Sequence, residues 1–208
     1  SAFLSLSAAP KAHHRRRRLH ISSIRWATLD PFDFSSKKGW DDFYAQRGAE
    51  DEGTFEYEWH PSIPHASVIS DIVPGSSCLM LGCGNSALPA ALYDAHRGRG
   101  NDGTRVCCLD YSAVCVDAMR EIHGGPGRPG MSFVCADALT LDAAETMVSL
   151  GLAVNAATDP EHLVGGGGAL FDAVVDKGLI DALMCGEAWD YDVARLFRGL
   201  STVLRGDG

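Results

Sequence analysis

Four short apolar runs, each followed by a turn and then a helical pattern, constrain this chain more than any other feature. They are Cys78-Leu79-Met80-Leu81, Val106-Cys107-Cys108-Leu109, Met131-Ser132-Phe133-Val134-Cys135 and Leu170-Phe171-Asp172-Ala173-Val174-Val175. Each is too short for a helix and too continuously apolar for a strand with one wet face. Residues 87–95, 113–122 and 141–152 read as helices between the runs, and residues 190–204 as a helix after the fourth. Short buried strands alternating with helices imply parallel strands joined by crossover helices, because only that arrangement covers both faces of a sheet. The fold class expected is α/β, with a doubly wound, mostly parallel sheet.

The rest of the chain divides around this core. Residues 1–37 form a basic arm, 38–76 an aromatic-rich lid and helix, and 77–208 the α/β core. Six of the 18 Lys and Arg residues precede Asp30, and none of the 27 acidic residues do. The arm is rich in Ser, Ala, Arg and His, which predicts an organelle transit segment or a partner-binding arm, and a plastid or mitochondrial location ahead of the cytoplasm. The body is strongly acidic, which argues against a nucleic-acid surface, since phosphate neutralisation needs clustered Lys and Arg. No apolar run approaches the ~18 residues of a membrane span. The seven cysteines are odd in number and lack C-x-x-C spacing, so they read as reduced core residues, with no zinc or disulfide framework. The eight histidines show no ligand spacing, and no metal is expected.

The chemistry is expected at the carboxyl ends of the strands, where open α/β sheets bind ligands. Leu81-Gly82-Cys83-Gly84-Asn85-Ser86 follows the first run; glycines there let backbone approach a ligand and point N–H groups at it. Position 87 is Ala, so the third glycine of G-x-G-x-x-G is missing, which counts against a dinucleotide and a nicotinamide-dependent oxidoreductase. Asp110 ends the second run, where a carboxylate can accept both ribose hydroxyls of a nucleoside. Ser112 is the better helix cap there, which leaves Asp110 for the ligand. Asp137 ends the third run, near an adenine edge.

These residues carry a resemblance. Gly82-Cys83-Gly84-Asn85-Ser86, Leu109-Asp110-Tyr111-Ser112 and Asp176-Lys177-Gly178 with Asp181-Ala182-Leu183 resemble the seven-strand methyltransferases that include the elongation-factor-1-alpha lysine methyltransferases. Trp40-Asp41, Phe43-Tyr44 and Tyr57-Glu58-Trp59 resemble that group's N-terminal lid. The resemblance covers roughly residues 38–205. It implies a Rossmann-like methyltransferase fold and S-adenosylmethionine as cofactor, held by Trp40, Tyr44, Trp59, Gly82, Gly84, Asp110, Tyr111, Asp137, Ala138 and Lys177. It also implies transfer of a methyl group, with protein lysine as the acceptor; Asp176, after the fourth run, reads either as the group that orients that lysine or as a structural cap for the adjacent loop. Two departures stand out: a longer connection between Asp137 and Phe171, and a stop after the helix that follows the fourth strand, where the group continues into further strands. That stop leaves the fourth strand as an apolar edge for another segment, a protein substrate or a larger assembly to cover. The alternative reading is a non-catalytic methyltransferase-like subunit of such an assembly.

Overall fold

The structure, a computed structural model, describes residues 2–5, 33, 35–49, 55–100, 103–141 and 171–205. Its elements in chain order are β1 (Ala2–Ser5), α1 (Lys37–Ala49), α2 (His65–Asp71), β2 (Ser77–Leu81), α3 (Leu88–Arg97), β3 (Arg105–Asp110), α4 (Ala113–His123), β4 (Met131–Cys135), β5 (Ala173–Asp176), α5 (Leu179–Leu183) and α6 (Trp189–Val203). The strands form one sheet in the order β1-β5-β2-β3-β4, and every pairing is parallel.

The apolar runs become strands because both sheet faces are buried. Cys78, Met80, Val106, Cys108, Phe133, Ala173 and Val175 face one layer, with α2, α3, α4 and the lid aromatics. Leu79, Leu81, Cys107, Leu109, Val134 and Val174 face the other, against Leu196, Leu200 and Val203 of α6. Successive side chains on a strand point to opposite faces, so a strand covered on both sides must be apolar at every position. Five cysteines serve here as small core residues, and burial raises the Cys78 and Cys107 thiols to about 12. Cys135 and Cys185 are exposed, and all seven are free thiols.

Three expectations need adjustment. The fourth run is a shorter strand than its apolar stretch, because Phe171 leaves the ladder with β2 and makes an isolated parallel bridge to Leu204 instead. The helix expected over 141–152 lies outside the described residues, apart from Leu141. The edge of β5 is covered by the chain's own arm: Ala2 through Ser5 pair in register with Ala173 through Asp176. The arm's backbone satisfies β5 donors and acceptors that a bare edge would leave open. Among the described residues, no helix is long and apolar enough to cross a membrane.

Candidate functional site

The parallel order sends the carboxyl ends of β5, β2, β3 and β4 to one side of the sheet, and a cavity of about 400 Å³ opens there. Sites for small molecules span roughly 300–1,000 Å³. Gly82, Gly84, Asp110, Tyr111, Asp137, Ala138 and Lys177 line it from the strand ends, and Trp40, Tyr44 and Trp59 from the lid. All ten residues expected to hold a cofactor therefore meet in one place.

The glycine loop works by shape. Gly82 and Gly84 have φ of 54° and 51°, the left-handed region that a side chain rarely tolerates. A Cβ on Gly84 would come 2.9 Å from the Tyr44 hydroxyl. Bare backbone is thus the only surface the loop offers to the cavity at these two positions.

Asp110 is 6% exposed, and its two oxygens hold adjacent loops in place. Oδ2 accepts from the Gly84 N–H at 3.0 Å, and Oδ1 accepts from the Ser112 N–H at 3.0 Å. Ser112 does cap α4, accepting from the Cys115 N–H, but Asp110 is not left wholly to a ligand as the sequence suggested. A carboxylate has about four acceptor positions, so with the Tyr111 N–H also donating, one remains for a further donor. Burial raises the Asp110 pKa, and the Ser112, Gly84 and Tyr111 backbone N–H groups offset part of that rise. Asp137 is exposed, caps the 3₁₀ turn at 138–140 through the Leu139 N–H, and faces the same cavity.

The lid is fastened by the second half of the glycine loop. The Asn85 carbonyl accepts from the Tyr57 N–H at 2.9 Å, and its side-chain amide donates to the Phe55 carbonyl. The Ser86 hydroxyl donates to Glu58 Oε1, and the Lys177 ammonium lies 3.0 Å from Glu58 Oε2. Trp40 and Trp59 meet edge to face at 5.5 Å, and Trp40 stacks on Tyr44 at 5.8 Å. The Ser112 hydroxyl donates to Asp41 at 2.5 Å, tying α1 to α4. Ring pairs at these separations favour a fixed lid over a loose one.

Asp176 is the one expected site residue that does not line the cavity, and its contacts are those of the cap reading. It is fully buried and lies off the cavity wall; its Oδ1 accepts from the Leu179 and Ile180 N–H groups and so caps α5. The first turn of any helix leaves N–H groups open, and a carboxylate just ahead of it is drawn to them. The cavity wall past β5 instead carries Asp181 and Asp192, together with His60 from the lid. His60 Nε2 is 3.7 Å from Asp181 Oδ2, a distance for an ion pair with protonated imidazole and beyond a hydrogen bond. His60 Nε2 lies beside Gly178, 3.4 Å from where a Cβ would stand, an ordinary van der Waals contact.

Comparison with known proteins finds similar sequences. The chain is 27% identical over 157 residues, 74% of its length, to the mouse eEF1A lysine and N-terminal methyltransferase, and 27% identical over 158 residues to the human one. It is 27% identical over 172 residues, 83% of its length, to mouse EEF1A lysine methyltransferase 4. The chain resembles the eEF1A lysine methyltransferases. It spans 18% of the length of the first two methyltransferases and 54% of the third. Among solved structures, a TehB-like SAM-dependent methyltransferase from Corynebacterium glutamicum aligns at a TM-score of 0.45 and 16% identity, over 81% of this chain and 68% of that one. No family model matches the chain. The architecture is a Rossmann-like α/β fold, a parallel sheet covered by helices on both faces.

Proposed function

We propose that this chain binds S-adenosylmethionine and transfers its methyl group to a protein lysine. The observation that carries the reading is the cavity itself: a left-handed glycine loop, a buried Asp110 with acceptor capacity to spare and a stacked aromatic lid converge at the strand ends. Similarity to lysine methyltransferases supports the acceptor class.

The residues present fit the cofactor. We assign Asp110 to the ribose, Asp137 and Ala138 to the adenine side, and the Gly82–Gly84 backbone to the amino-acid portion. Trp40, Tyr44 and Trp59 supply apolar cover. S-adenosylmethionine supplies an electrophilic methyl carbon on a sulfonium, so no nucleophile from the protein is needed. What the chain must do is position the acceptor and manage its proton. A lysine attacks only as the neutral amine. His60 and Asp181 on the β5 side of the cavity are the groups we assign to steer the ammonium in and to take its proton. From Gly178 to Ala194 the chain has Asp181, Glu187, Asp190 and Asp192 and no Lys, Arg or His, so this side favours a cationic acceptor.

Calorimetric titration with S-adenosylmethionine tests the first half, with Asp110→Ala as control. Micromolar binding that the control loses supports the reading; no binding by a folded wild-type chain sinks it. Mass spectrometry of lysine-bearing substrate proteins after incubation tests the second half.

A further inference from the structure

Glu58 is the residue through which the lid touches everything else that shapes the cavity. Its carboxylate accepts a hydrogen bond from one part of the chain and lies within ion-pair distance of groups from two others. The Ser86 hydroxyl comes from the glycine loop, the Lys177 ammonium at 3.0 Å from the end of β5, and His65 Nε2 at 3.1 Å from α2. The Lys177 side chain is 2% exposed, so the pair is well shielded on that side. Glu58 lies between Tyr57, whose N–H is held by the Asn85 carbonyl, and Trp59, which lines the cavity. His60, two residues on, lines it as well.

We propose that Glu58 is a positioning residue, a clasp that fastens the aromatic lid to the glycine loop and to the end of β5 and so holds the lid closed over a bound ligand. The argument is one of leverage. Ordering long side chains carries an entropic cost, and one carboxylate that accepts from a hydroxyl and pairs with an ammonium fixes three segments at once. Lys177 directly precedes the Gly178 turn on which His60 rests, so the same clasp sets the spacing between the two sides of the cavity. Glu58 itself does not line the cavity, and its effect on a ligand is exerted through Trp59 and His60.

The proposal rests on the cofactor reading above, and its test separates the two. Removing the carboxylate outright would strand a buried ammonium and endanger folding. The variants are therefore Glu58→Gln and Glu58→Asp, with Ser86→Ala as a change that spares the ion pair. Amide hydrogen exchange on the full chain without ligand is the first readout. The Tyr57 amide should exchange on the order of tenfold faster in Glu58→Gln and in Ser86→Ala, with the β2 and β3 amides unchanged. Titration with S-adenosylhomocysteine is the second: affinity should fall on the order of tenfold in Glu58→Gln, through faster release, and Glu58→Asp should recover part of it. A folded Glu58→Gln chain with wild-type Tyr57 exchange overturns the clasp, and a looser lid with unchanged affinity and release overturns its positioning role. A wild-type chain that binds no S-adenosylhomocysteine sinks the cofactor reading and the positioning role with it, and leaves the exchange result to decide the clasp.

Discussion

Asp110 shows how one side chain can serve the fold and the ligand together. It joins the glycine loop to the start of α4 through two backbone N–H groups, and it faces the cavity. Replacing it by Ala leaves both donors without their partner, which costs about 1–3 kcal/mol for each buried group left unsatisfied. Asp110→Ala should therefore lose ligand binding and also shift the urea midpoint downward, whereas a purely ligand-facing acid would change only the first. The pH dependence has a definite sign. Burial raises the Asp110 pKa, and hydroxyl donors from a ligand favour the ionised form. Affinity should weaken as pH falls through that raised pKa and level off above it, a slope that calorimetry across pH would show and Asp110→Asn would flatten. Asp110 was legible in the sequence because an acid at a strand end ahead of a serine cap has few other uses. Asp176 looked equivalent, also an acid at a strand end, and only the turn through Gly178 reveals that its oxygen goes to the α5 backbone. Glu58 carried no such signal, because its partners Ser86, Lys177 and His65 are spread over more than a hundred residues.

At the scale of elements, the four core strands were readable because burial on both faces forces continuous apolar runs. The fifth strand was not: Ala2-Phe3-Leu4-Ser5 is four residues in a basic arm, and nothing in them specifies a partner. What places them is the bare edge of β5, whose backbone groups need partners whichever segment brings them. Deleting residues 1–5 should reopen that edge and produce concentration-dependent self-association, visible in sedimentation velocity as a species absent from the intact chain. A monomeric deletion at high concentration would mean that the edge is protected in some other way. The lid helix offers a second test. Ser112 both caps α4 and donates to Asp41 of α1, so Ser112→Ala should cost about 1–2 kcal/mol and loosen α1 as well as α4. Hydrogen exchange confined to α4 would assign the serine to capping alone.

For the molecule as a whole, the acid limb of stability can be worked out from groups on both sides of the sheet. His96 is fully buried on α3, and burial lowers its pKa. The unfolded chain therefore takes up a proton near pH 6.5 that the folded chain resists, and stability must fall as pH drops below that value. A second fall follows from carboxylates held below their usual range. For Asp94 the cause is the bidentate Arg128 guanidinium; for Glu58, burial opposes the ionised form, but Ser86, Lys177 and His65 outweigh it. Stability from these groups is present above the ordinary carboxylate range and lost as pH falls through their depressed values. Asp110 acts with the opposite sign, since protonating it relieves a buried charge, and it moderates the lower limb. The two limbs are separable by mutation. His96→Leu should flatten the change in urea midpoint between about pH 7.5 and about pH 5.5 while leaving the fall below pH 4 intact. If the upper limb persists in that variant, its proton goes to another group. A limb that disappears with His96 alone would show that one buried imidazole on α3 sets the pH floor for the whole fold.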